Sequence, residues 1–86
     1  MKVTVIYHPK SEHARSVEEF VHDYGHDLGK QSKLLSLETR EGAELAKLYD
    51  VVNYPAILVI KDDSQLIKLW EGMPLPLIDE VAGYDQ

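Results

Sequence analysis

The chain predicts an α/β fold, a four-stranded mixed sheet with helices on both faces, in the order β-α-β-α-β-β-α. Three observations predict it. A β-branched and aromatic run, Val3-Thr4-Val5-Ile6-Tyr7, halts at His8-Pro9, as a strand does before a breaker. Apolar residues then recur at Ala14, Val17, Phe20, Val21, Tyr24 and Leu28, the stripe of an amphipathic helix. Later, Ala56-Ile57-Leu58-Val59-Ile60 is apolar at every position, so that strand is covered on both sides.

Each element has a local reason. Ser11 is an N-cap candidate for the first helix, because its hydroxyl can accept from an early helical N–H. Glu12 would then occupy the first turn, where the helix dipole favours negative charge. Gly25 and Gly29 mark the helix end and the turn beyond it. Lys33-Leu34-Leu35-Ser36-Leu37-Glu38 reads as the second strand. Thr39 or Gly42 starts a second helix, with Leu45, Leu48, Tyr49 and Val52 expected on its buried face. Pro55 ends any helix and disfavours α geometry at Tyr54. Lys61-Asp62-Asp63-Ser64 is a hairpin turn, and Gln65 to Trp70 returns as an edge strand of mixed polarity. Met73-Pro74-Leu75-Pro76 opens a last helix, Leu77 to Ala82, with proline near its start and Gly83 as its stop. A strand-helix-strand unit implies a parallel pair with a right-handed crossover, and the late hairpin adds antiparallel strands.

Composition narrows the function. At 86 residues the chain is expected to be a single domain, residues 1–86. A domain of this size buries only about 60% of the surface its unfolded chain exposes, so most apolar residues are committed to the core. It is 44% hydrophobic and 28% charged, ordinary for a globular chain. The formal charge of −6, with scattered lysines and arginines, argues against nucleic acid as a partner. No apolar stretch approaches the roughly 20 residues of a membrane span. The opening strand is too short for a signal-peptide core, and the protein is expected to be cytoplasmic. The absence of cysteine excludes disulfides, thiolate catalysis and cysteine-based zinc sites together. No cofactor is expected.

The order and spacing of these segments resemble the minimal thioredoxin fold, in its glutaredoxin-sized form, over essentially the whole chain. Pro9-Lys10-Ser11-Glu12-His13-Ala14 is similar to the Pro-Gly-Cys-x-x-Cys segment of glutaredoxins with both sulfurs gone, so Ser11 and Ala14 stand at the dithiol positions. Tyr54-Pro55 matches the residue and cis-proline that face that loop. The resemblance implies a cis Pro55. It also implies that Tyr54 presents backbone groups able to pair with an extended peptide, a recognition mode that needs no sulfur. Where glutaredoxins carry a Gly-Gly and acidic signature for glutathione, this chain has Glu71-Gly72-Met73-Pro74, and glutathione is not expected as a partner.

The candidate binding residues are therefore His8, Pro9, Ser11, His13, Tyr54 and Pro55. Ser11 is first of all a capping residue; as a nucleophile it would need a positioned base, for which His13 and His8 are near in sequence. His8 and His13 could also form a pH-sensitive patch with Glu12. His22 and His26, four apart on the first helix beside Asp23 and Asp27, share a face and have the spacing of metal ligands, although two ligands make a weak site and His26 sits at the expected helix end. Trp70 is a packing residue, or an interface anchor if exposed beside Leu66.

Three functions remain open from the sequence. The favoured one is a redox-inert thioredoxin-like module that binds a protein or peptide in the groove beside Pro55, since it requires no unproved chemistry. The others are a non-thiol transferase using Ser11 or His13, and a glutaredoxin-like oxidoreductase whose cysteines at positions 11 and 14 have been replaced. Fold analogy supports a groove but not an activity.

Overall fold

In the computed structural model, which describes residues 1–85, the β-branched opening run forms β1 (Lys2–Tyr7), and the apolar stripe becomes α1 (Ala14–Leu28). Then follow β2 (Ser32–Ser36), α2 (Arg40–Leu48), β3 (Ala56–Ile60), β4 (Leu66–Glu71) and α3 (Ile78–Ala82). The four strands make one mixed sheet in the order β2-β1-β3-β4. β1 runs parallel to β2, with Val5 opposite Leu34. It is antiparallel to β3, with Val5 opposite Ile57, and β3 is antiparallel to β4. This is the expected α/β architecture. β4 is an edge strand, and its register shifts beside Val59 and Ile60, leaving Ile67 unpaired, a bulge of the kind common at sheet edges.

Alternation along the central strands divides the core in two. Val3, Val5 and Tyr7 of β1 and Ile57 and Val59 of β3 face α1 and α3, where they meet Val17, Phe20, Tyr24 and Val81. Ile6, Leu58 and Ile60 face the other way, towards Ala46 of α2 and Val51 of the loop after it. All five residues of β3 are buried, as its unbroken apolar run requires. Full burial of such side chains contributes about 1.5–3 kcal/mol each.

Several local expectations need correction. Ser11 does not cap α1: the capping position is His13, in helical geometry and with no side-chain capping bond. Ser11 instead closes the preceding turn, its Oγ donating to the His8 carbonyl at 2.6 Å. Glu12 accordingly lies in that turn, and the first turn of α1 carries no acidic residue. Gly25 is inside α1. The helix stops at Gly29, which takes a left-handed φ of 64° and donates its N–H to the Gly25 carbonyl. His26 therefore lies within the helix. β2 begins and ends earlier than its apolar residues suggested, at Ser32 and Ser36. Leu48 and Val52 are exposed rather than buried. The fully buried residues of α2 are its small ones, Gly42 and Ala46, with Leu45 and Tyr49 packed at the margin. Trp70 is half-buried on the α1 and α3 side, whereas Leu66 packs on the α2 side, so the two are not neighbours on one face. Its Nε1 donates to Glu80 at 3.1 Å, and its ring meets Tyr84 edge-on.

Gly42 explains why small residues face the sheet. Thr39 caps α2, its Oγ1 accepting from the Gly42 N–H at 3.1 Å and donating to the Ser36 carbonyl at 2.7 Å. A Cβ on Gly42 would sit 2.1 Å from that same carbonyl oxygen. Helix propensity alone favours Gly42→Ala by up to about 1 kcal/mol. The close approach reverses the sign: Gly42→Ala is expected to destabilise the protein by about 1–3 kcal/mol. Urea denaturation checks this through a lowered midpoint.

Candidate functional site

Two loops meet at the C-terminal end of β1. The first leaves the sheet after Tyr7, whose carbonyl still accepts from Leu37 N, and His8 and Pro9 then turn away towards α1. The Ser11 N–H and Oγ both bond the His8 carbonyl, at 3.2 and 2.6 Å, which tightens the turn. His13 reaches back: its Nε2 accepts from the His8 backbone N–H at 3.2 Å. An accepting Nε2 requires the neutral imidazole with its proton on Nδ1. Burial, and then the neighbouring His8, lower the His13 pKa below its ordinary 6.5.

The second loop joins α2 to β3. The Tyr54–Pro55 peptide is cis. The Pro55 carbonyl accepts from Gly72 N at 2.8 Å, which carries the β3–β4 ladder one step beyond the strands. The Tyr54 phenol folds back onto the Val51 carbonyl at 2.9 Å, and Glu71 accepts from Val52 N–H at 3.1 Å. The Tyr54 main chain is treated differently. Among the described residues, neither its N–H nor its C=O makes a hydrogen bond. Unpaired backbone groups of this kind seek a partner, in water or in another chain.

His8 is the hinge between the loops. Its ring lies edge-on to the Tyr54 ring with centroids 5.2 Å apart, and 6.2 Å from the ring of His13. The structure thus gathers His8, His13, Tyr54 and Pro55, and Ser11 joins them through the His8 carbonyl. Pro9 lies in the turn between them. Ala14, at the second position that the resemblance assigns to a dithiol, is buried in the α1 core. Ser11 and His13 are not hydrogen-bonded to each other: the serine hydroxyl is spent on a carbonyl and the imidazole on an amide. Among the described residues, therefore, no base is poised on the Ser11 hydroxyl.

Three residues were not singled out from sequence. Met73 is half-exposed and shares a shallow cleft with Glu12, His13 and Ser16. Its only sequence signal is an apolar residue placed between Gly72 and Pro74. Val52, two residues before Tyr54, is 73% exposed and gives the loop an apolar edge. Beneath the loops, the Tyr7 phenol donates to Glu18 at 3.5 Å, and burial, followed by the Glu18 charge and hydrogen bond, raises its pKa.

The other histidine pair lies elsewhere, on the exposed side of α1. The His22 and His26 rings stack 5.7 Å apart, and each Nδ1 faces the carboxylate that follows it, Asp23 or Asp27. Among the described residues no group of three or more potential metal ligands forms. None of the helices described is long and apolar enough to cross a membrane.

No protein-family model matches the chain, and no curated protein matches it in sequence. Solved structures do match in fold. One is thioredoxin 1 from the thermophilic eubacterium Thermosipho africanus TCF52B, with a TM-score of 0.70 at 13% identity, over 99% of this chain and 90% of that one. The fold is thioredoxin-like, in a chain without cysteine.

The His13 geometry sets a pH dependence. With the folded-state pKa below 6.5, the unfolded chain binds the proton more readily, so the contribution of neutral His13 is complete above pH 6.5 and is lost as pH falls below it. Urea midpoints followed from about pH 7.5 down to 5 should decline, and His13→Gln, which cannot titrate, should flatten that decline.

Proposed function

We propose that this protein binds an extended polypeptide segment beside Pro55 by main-chain pairing at Tyr54. The observation that carries this reading is the unpartnered backbone of Tyr54, immediately before a strand whose other groups are satisfied by the sheet. An incoming strand would exchange hydrogen bonds with that N–H and C=O, each worth about 0.5–1.5 kcal/mol net. Side chains of an extended peptide alternate in direction. One set would meet the apolar edge supplied by Val52 and Met73, the other the rings of His8 and Tyr54. Glutathione has no part in this reading, and neither does thiol exchange, since no cysteine is present. The neutral His13 and the uncharged Ser11 suit an uncharged peptide segment better than a strongly ionic one.

The test is an NMR titration of the isotopically labelled protein with a capped heptapeptide of alternating valine and threonine. Saturable amide shifts are expected at His8, His13, Tyr54, Ala56 and Met73. The same peptide N-methylated at the residue facing Tyr54 should bind about tenfold more weakly, because it loses a main-chain hydrogen bond. Shifts confined to other surfaces, or equal binding of the methylated peptide, would overturn the reading.

A further inference from the structure

A second site lies on the α2 face of the sheet, at the end remote from the paired loops. α2 is only nine residues long; with Val51 it packs on Ile6 and Leu58, while Lys2 at the N-terminal end of β1 stays exposed. A groove is left there. Its floor is Lys2 and Thr4 of β1, Leu35 of β2 and Ile60 of β3; its wall is Leu45 and Leu48 of α2. Two contacts hold its sides. The Tyr49 phenol donates to the Ser64 carbonyl at 2.6 Å, tying α2 to the β3–β4 hairpin, and Lys33 pairs with Glu41 across the other side.

The polar groups in this groove are unevenly committed. Thr4 is only 4% exposed as a residue, but its hydroxyl, which makes no hydrogen bond among the described residues, opens into the groove; the side-chain oxygen buried without a partner among the described residues is Ser32 Oγ. A hydroxyl open to the groove and not engaged by the protein can donate to a ligand that enters it. The acids that line the groove are all engaged: Glu41 by Lys33, Glu44 by Arg40, and the exposed Asp62 by the Met1 amino group. Two lysines that line it, Lys2 and Lys61, have no carboxylate partner among the described residues. Leu48 is 68% exposed, which leaves apolar surface at the wall.

We propose that this groove binds a small amphipathic carboxylate. Its apolar chain lies along Leu35, Leu45, Leu48 and Ile60. Its carboxylate accepts from the Thr4 hydroxyl and is paired with the ammonium groups of Lys2 and Lys61. A neutral apolar molecule would leave both lysines and the hydroxyl unused, and a cation would meet like charge at the same place. The site is independent of the peptide groove, so either can fail alone.

Titration of the labelled protein with sodium decanoate tests this. Saturable shifts are expected at Thr4, Leu45, Leu48 and Ile60, with His8 and Tyr54 unmoved. Decanol, which has the same chain without the charge, should bind at least about tenfold more weakly, as should decanoate to Thr4→Val, through loss of a charge-assisted hydrogen bond. Because Thr4→Val removes an unpartnered hydroxyl at constant shape, its thermal midpoint should hold or rise while its decanoate affinity falls, an opposition that a purely structural threonine would not produce. Should that variant not fold, the double variant Lys2→Gln/Lys61→Gln, altered only at the surface, decides through the same tenfold loss. No saturation by decanoate, shifts centred on Tyr54, equal binding of decanol, or unchanged affinity in the variants would each overturn the proposal.

Discussion

The burial of β3 on both faces is the constraint from which the rest of the structure follows. A strand with no polar position cannot lie on the surface, so helices must cover it on each side and other strands must flank it at both edges. β1 and β4 supply the edges, α1 and α3 cover one face, and α2 with Val51 covers the other. The chain then has to enter β3 from a loop at one end of the sheet, and that entry brings Tyr54-Pro55 against His8. The candidate site is thus a consequence of where a fully apolar strand can be placed.

Coverage of the two faces is unequal, and the inequality shapes the surface. The α1 face receives a fifteen-residue helix and a second short one, and its core reaches from Val3 to Tyr7. The α2 face receives nine helical residues. Gly42 and Ala46 allow α2 to sit close to β2 at one end, with Thr39 and Ser36 locking the approach. Beyond that contact the cover thins to Leu45, Leu48 and Tyr49, which leaves Thr4 on the floor of a groove. A domain of this size has few residues with which to close both faces.

The order of elements, the edge position of β4 and the buried stripe of α1 were legible because each rests on a period or a breaker that local sequence carries. The errors share a cause. Ser11 was expected to cap α1, yet its hydroxyl is spent on the His8 carbonyl; a serine before a helix can close either of two turns, and only the path of the loop chooses between them. Leu48 and Val52 read as core residues in the sequence because they are large and apolar. Close packing of α2 selected the small residues of that helix instead and turned Leu48 outwards. At the candidate site, His8, His13, Tyr54 and Pro55 were chosen through a family resemblance and are gathered by the fold. Met73 and Val52 were missed, since nothing local distinguishes an exposed apolar residue at a loop from one at rest in a core.

The sequence alone determined the class of fold, the count and order of the elements, and the absence of any thiol, because hydrophobic period, proline position and residue inventory are local properties. Tertiary structure decided which hydrogen-bonding groups remain without partners. Among the described residues, the idle main chain of Tyr54 and the idle hydroxyl of Thr4 are set by distances between segments far apart in the chain, and no local pattern encodes a bond that is not made.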